Sequence, residues 1–306
     1  MVRAARIERP DIAILTDSPD FHLRLAKKLH AQGIPVVYLI APQAWAWRQG
    51  RVRTMRRTLT RLLCIFPFEE VFFGKHGVRA TFIGHPLTRI AKPSLTRTEF
   101  CEKFGFALDD RLTLLLPGSR HGEVARHMPY LLDAAQRIRK QVAVRLILAL
   151  PAGFGAANTT FWEPTRAAHI QVIEGSTWDC LAQAEVALAA SGTVTIEAAL
   201  LGAPMLTFYR VNALTWILGR WMVSAPFLSM VNLVAGRQVA PELIQRDMTG
   251  ERIAAEALRL LEDEGARRKM KADLEEVKAK LSSERDPMEV AAECIEQILM
   301  ENGIER

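Results

Sequence analysis

The 306-residue chain is predicted to be an α/β protein built on parallel sheets, and three features of the sequence carry that prediction. Short runs of β-branched and other apolar residues alternate with amphipathic stretches over most of the length. The runs are apolar almost throughout rather than at every second residue, as strands covered on both faces should be. Between consecutive runs there is usually a single helical stretch, which is the connection a parallel pair requires.

Taken in order, Val2–Glu8 reads as the tail of a helix. Strands are expected at 12–16, 36–41, 62–66 and 80–83, and then at 112–116, 144–150, 170–173, 186–190 and 204–208. The stretch Asp20–Gln32 is an amphipathic helix that stops at Gly33, with Pro35 just beyond, and Asp20 is expected to cap its start. Gly84-His85-Pro86 closes the fourth strand, and Ala91-Lys92-Pro93-Ser94 is a proline-marked polar linker. The domains are therefore placed at 1–90 and 91–282, with a final segment 283–306. After Phe208 the chain is expected to be helical to its end, through the charged stretch Arg267–Lys280 and the amphipathic stretch Pro287–Met300.

Composition narrows the function. Forty Lys and Arg against thirty-four Asp and Glu give a net charge of +6, which suits anionic ligands or an anionic membrane surface. The excess is too small to imply nucleic acid, and no nucleic-acid module accompanies it. Cys64, Cys101, Cys180 and Cys294 lie far apart, with no CxxC pair and no histidine at ligand spacing. Neither a disulfide framework nor a structural metal is expected, and a reducing cytoplasm follows. The N-terminal residues lack the apolar core of a signal peptide, and the apolar stretch 213–235 is broken by Arg220, Pro226 and Asn232.

In open α/β sheets ligands sit beyond the carboxyl ends of strands, so the loops there are read first. Pro117-Gly118-Ser119-Arg120 follows the fifth strand and leads into a helix. Glycine allows close backbone approach, the helix start favours an anion, and Arg120 offers a bidentate phosphate contact. A capped turn with an exposed arginine is the competing reading. Ser191-Gly192-Thr193 follows the eighth strand, and the two loops together read as a diphosphate cradle with Glu197, one turn on, able to accept from ribose hydroxyls; a helix N-cap with a solvated glutamate is the competing reading. Asp17, directly after the first strand, is placed as a general base or as a turn residue. Trp45 and Trp47 precede Arg48, Arg51, Arg53, Arg56, Arg57 and Arg61, a basic helical stripe suited to an anionic amphiphile, or simply to solvent. His85 is the one histidine placed at a cleft.

The segments DSPDF, APQAWAWRQGRV, FPFE, FIGHPL, LLPGSRHGEV, ASGTVTIEAALLGAPM, YR before an apolar stretch, and NLVAGRQVAPELIQ occur in that order from about Pro10 to Gln245. In this order they resemble the lipid-A-disaccharide synthases, peripheral-membrane glycosyltransferases of Gram-negative bacteria. The resemblance implies a GT-B-like architecture of two Rossmann-like domains facing a cleft, with the last helix returning to the N-terminal domain. It implies inverting, metal-independent transfer of 2,3-diacylglucosamine from its UDP carrier to 2,3-diacylglucosamine 1-phosphate (lipid X). The products are the β-1,6-linked disaccharide 1-phosphate and UDP, made without a cofactor at the cytoplasmic face of the inner membrane. A homodimer is compatible with it.

By that similarity Ser119, Arg120, Glu123, Ser191, Gly192, Thr193 and Glu197 would hold UDP. Asn232, Arg237 and Gln245 match further cleft positions, and Asp17 matches the proposed base. Trp45, Trp47, Arg48, Arg53, Arg57 and His85, with the apolar 213–230 region, would meet the acceptor or the membrane. The family opens with a strand and a GExSGD-type loop that have no counterpart here; Met1 aligns inside the N-terminal domain. A misplaced start, a fragment or a split gene is the expectation, and with it weak or no turnover from these residues alone. The competing readings are a UDP-N-acetylglucosamine 2-epimerase-like enzyme and a non-catalytic remnant that binds UDP or lipid.

Overall fold

The strands form because their side chains are buried on both faces. Leu114, Leu115, Leu148, Leu188 and Leu206 are fully shielded from solvent, and each sits in a parallel ladder whose flanks are covered by helices. The structure is a computed structural model and describes residues 1–212, 216 and 225–303. These fall into two compact units. The first is built on Met1–Arg89 and the chain from Lys280 onward, the second on Ile90 to Asn212 and Pro226–Ala279. The apolar stretch expected to meet acyl chains lies mostly outside the described residues.

The first unit holds a four-stranded parallel sheet in the order β1-β2-β3-β4: β1 Ala13–Thr16, β2 Val36–Leu39, β3 Arg61–Cys64 and β4 Ala80–Phe82. One flank carries the helix Pro19–His30, which buries Leu23, Ala26 and Leu29. The C-terminal helix Pro287–Glu301 belongs to the same unit, with Ala291 and Ile298 in one cluster with Val37, Leu63 and Ile83. Gly84 is glycine for a steric reason. Its φ is +88°, and a Cβ there would come within 2.3 Å of Ser283 Oγ on the returning segment.

The second unit holds a six-stranded parallel sheet in the order β10-β9-β8-β5-β6-β7. Its strands are β5 Leu112–Leu116, β6 Arg145–Leu150, β7 Gln171–Glu174, β8 Val186–Ala190, β9 Met205–Tyr209 and β10 Glu242–Ile244. The chain runs outward through β6 and β7, then returns to the other flank of β5 and runs outward again through β9 and β10.

Three expectations are corrected. β10 interrupts the all-helical C-terminal region; it has three residues, of which only Leu243 is buried, too short for a periodic signal. Asp20 does not cap the helix after β1. Ser18 is the N-cap, Pro19 is the first helical residue, and Asp20 pairs with Arg48 and Arg51. The basic helix ends at Thr58, so Arg61 leaves the stripe and enters β3.

Candidate active site

The reversal of winding in the second unit creates its site. β5 and β8 are hydrogen-bonded neighbours, with Leu116 opposite Ala189, so the loops that leave them emerge side by side at their carboxyl ends. This is the topological switch point at which open α/β sheets bind ligands. A cavity of about 390 Å³ opens there, lined by Gly118, Ser119, Arg120, Glu123, Ser191, Gly192, Thr193 and Glu197 among others. Gly118 has φ +121°, and a Cβ on it would lie 2.3 Å from Glu123 Oε2. The Glu123 carboxylate accepts the Ser119 N–H at 3.4 Å, which shows the loop amide directed at an anion. Ser119, Arg120, Gly192 and Thr193 are exposed, and Arg120 has no ion-pair partner among the described residues.

Glu197 is held from a side the sequence did not reveal. Trp178 Nε1 donates to its Oε2 at 2.9 Å, and burial raises its pKa, partly offset by that bond. Both residues also line an adjoining cavity of about 510 Å³ with Lys92, Gly175 and Asp179. The tryptophan lies nineteen positions from the glutamate. No local spacing links the two, because the contact is made between consecutive βα units.

Asn232, Arg237 and Gln245 are not among the residues lining either cavity. Asn232 is fully buried with its amide saturated. It donates to the Ala240 carbonyl and to Glu242 Oε1, both at 2.8 Å, and accepts the N–H groups of Val239 and Ala240. Arg237 pairs with Asp273 at 2.8 Å and Glu276 at 2.9 Å. Gln245 accepts the Val211 N–H through Oε1 at 3.2 Å.

In the first unit Asp17 follows β1 in a strained turn: Asp17 has φ +55° and Ser18 φ +40°. The Asp17 carbonyl accepts from His22 Nδ1 at 2.8 Å and from the Tyr38 hydroxyl, while its carboxylate is exposed. Tyr38 is fully buried in β2; burial and then the Asp17 charge push its pKa up to about 12, so it stays a donor. The sequence hid this partner inside an apolar strand.

The tryptophans separate. Trp45 is buried, donates to Glu69 Oε1 at 2.9 Å and meets Phe68 edge-on at 4.9 Å, so it anchors the loop inward rather than meeting lipid. Trp47 is 37% exposed, with the guanidinium groups of Arg48 and Arg51 over its ring at 4.9 and 5.1 Å. Arg53, Arg56 and Arg57 are exposed beyond it. His85 is buried rather than open to an acceptor. Its Nδ1 accepts the Leu87 N–H at 3.2 Å, its ring lies 5.2 Å from Phe66, and burial lowers its pKa to about 4.

With this geometry in place, comparison with known proteins decides the family. The family model described as lipid-A-disaccharide synthetase matches residues 1–298. A curated lipid-A-disaccharide synthase of Solibacter usitatus is 57% identical over 299 residues, spanning 98% of this chain and 78% of the relative. The chain belongs to the lipid-A-disaccharide synthase family. It is therefore a glycosyltransferase, a hexosyltransferase of lipid A biosynthesis. Solved structures agree on the fold. A putative UDP-N-acetylglucosamine 2-epimerase from Listeria monocytogenes superposes with a TM-score of 0.60 at 17% identity, covering 89% of this chain and 71% of that one. The rhamnosyltransferase SpnG, in complex with thymidine diphosphate, gives 0.61 at 14% identity, covering 96% and 75%. At these identities the likeness is one of fold, and the lipid-A-disaccharide synthase assignment outweighs the epimerase reading.

Proposed function

We propose that the second unit of this lipid-A-disaccharide synthase relative binds the UDP of UDP-2,3-diacylglucosamine between the β5 and β8 loops. The diacylglucosaminyl group then passes to lipid X. The observation that supports this is the side-by-side emergence of those two loops at the winding reversal, with Arg120 unpaired beside them. Ser119 and Arg120 would contact the diphosphate with Gly192 and Thr193, and Glu197, steadied by Trp178, would accept from the ribose hydroxyls. Among the described residues no three His, Cys, Asp or Glu side chains are grouped to hold a metal ion. The charge on departing UDP would be met by the arginine and loop amides.

Asp17 would act as the base on the acceptor hydroxyl, its backbone fixed by Tyr38 and His22 so that the carboxylate stays exposed. Inversion follows when the deprotonated oxygen attacks the anomeric carbon opposite the leaving UDP. No described helix is long and apolar enough to cross a membrane. Contact with the cytoplasmic surface of the inner membrane would fall to Trp47 and the exposed arginines Arg53, Arg56 and Arg57.

The test is titration of UDP into the protein, with and without a chelator, followed by assay with UDP-2,3-diacylglucosamine and lipid X. Binding should survive the chelator and drop about 10–100-fold in Arg120→Ala, the range for one charged hydrogen-bonding partner. Asp17→Asn should keep UDP binding and lose disaccharide formation. Binding that appears only with magnesium, or unchanged turnover in Asp17→Asn, overturns the corresponding assignment.

A further inference from the structure

We propose that His127 is a positioning residue for the diphosphate loop, clamping the start of that loop to the end of β9. The proposal rests on the diphosphate reading of the cavity and adds a residue that does not touch it. His127 lies on the inner face of the helix His121–Arg139 with Val124, Met128 and Leu131, and none of it is exposed. A buried imidazole must satisfy both ring nitrogens, and here each finds backbone from a different strand end. With the proton on Nδ1, the ring donates to the Pro117 carbonyl at 2.7 Å, and Nε2 accepts the Arg210 N–H at 3.3 Å.

The far side of the clamp is itself anchored. Arg210 Nη1 donates to the Gln245 carbonyl at 3.0 Å, and its guanidinium sits 4.6 Å over the Tyr130 ring. In the sheet β8 lies between β5 and β9, so His127 bridges two strands that are not neighbours. The loop between them is tied to the same anchor, because the Ser191 N–H donates to the Phe208 carbonyl at 2.8 Å. Both walls of the cavity are thus referred to residues 208–210. Amides fixed in this way need little reordering when an anion arrives.

The test uses the full chain as His127→Phe and His127→Gln. Phenylalanine keeps the ring, which meets Phe208 edge-on at 5.3 Å, but drops both hydrogen bonds; glutamine offers one donor and one acceptor. Calorimetry with UDP should show at least a tenfold loss in His127→Phe and recovery of most of it in His127→Gln. Hydrogen exchange provides a readout without nucleotide. The Glu123 and Val124 amides, which donate to the Arg120 carbonyl at 3.0 and 2.9 Å, should exchange at least tenfold faster in His127→Phe. Native exchange and native UDP affinity in a folded His127→Phe overturn the clamp. Should that variant not fold, the wild-type protein decides: the Arg210 N–H, which donates to His127 Nε2 at 3.3 Å, should exchange slowly, and an Arg210 amide that exchanges at the unprotected rate overturns the clamp. If the wild-type protein ignores UDP, the diphosphate reading fails, while the exchange rates still decide the clamp.

Discussion

Glu69 is 1% exposed, yet it receives two hydrogen bonds that favour its anion, from Trp45 Nε1 at 2.9 Å and the Phe66 N–H at 3.3 Å. Burial outweighs both and pushes its pKa up to about 8. The folded protein therefore holds a proton that an unfolded chain, with an ordinary carboxyl near 4.5, releases. Its stabilising contribution is complete below the unfolded value and is lost as pH rises through the folded one. Urea unfolding at pH 5, 7 and 9 should show the wild type falling by roughly 3–5 kcal/mol relative to Glu69→Gln, whose neutral amide cannot ionise. A constant difference across that range would mean that Glu69 ionises freely in the fold. Trp45→Phe removes the indole donor and should cost about 1–3 kcal/mol by the same assay, through an unsatisfied buried carboxyl oxygen.

The turns and helices make different demands. The β5 loop needs glycine at 118 because φ is +121° and Glu123 fills the space a Cβ would take. Gly118→Ala should strain the loop by about 1–3 kcal/mol and weaken UDP binding by a similar amount, while the melting of the first unit stays put. Calorimetry and tryptophan fluorescence read the two effects separately. The C-terminal helix behaves as a buried wedge: Ile298 is 1% exposed in the cluster with Val37, Leu63 and Ile83. Ile298→Ala should lower the stability of the first unit by about 2–5 kcal/mol in denaturant titrations, with UDP affinity in the second unit retained. Equal loss of UDP affinity would show that the helix also supports the proposed nucleotide site.

At the scale of the whole molecule, the +6 charge is concentrated in part on one helix, where Arg53, Arg56 and Arg57 are exposed next to Trp47. Each arginine near an anionic surface contributes about 1 kcal/mol. The triple change of Arg53, Arg56 and Arg57 to glutamate should therefore cut binding to phosphatidylglycerol vesicles about a hundredfold or more, in cosedimentation, with UDP affinity unaltered. Added salt should weaken the wild type in the same direction. What the sequence determined by itself was whatever neighbouring residues express jointly. Apolar runs set the α/β class and marked every strand except the three-residue β10, and Gly118 with Ser191-Gly192-Thr193 marked two strand-end loops. Tertiary structure decided the rest. The adjacency of β5 and β8, the Trp178 partner of Glu197, the inward turn of Trp45 and the saturation of Asn232 all join residues that no local period connects. Periodicity reports which face of an element is apolar; strand order and hydrogen-bond partners depend on where the rest of the chain comes to lie, and that is settled only when the sheets assemble.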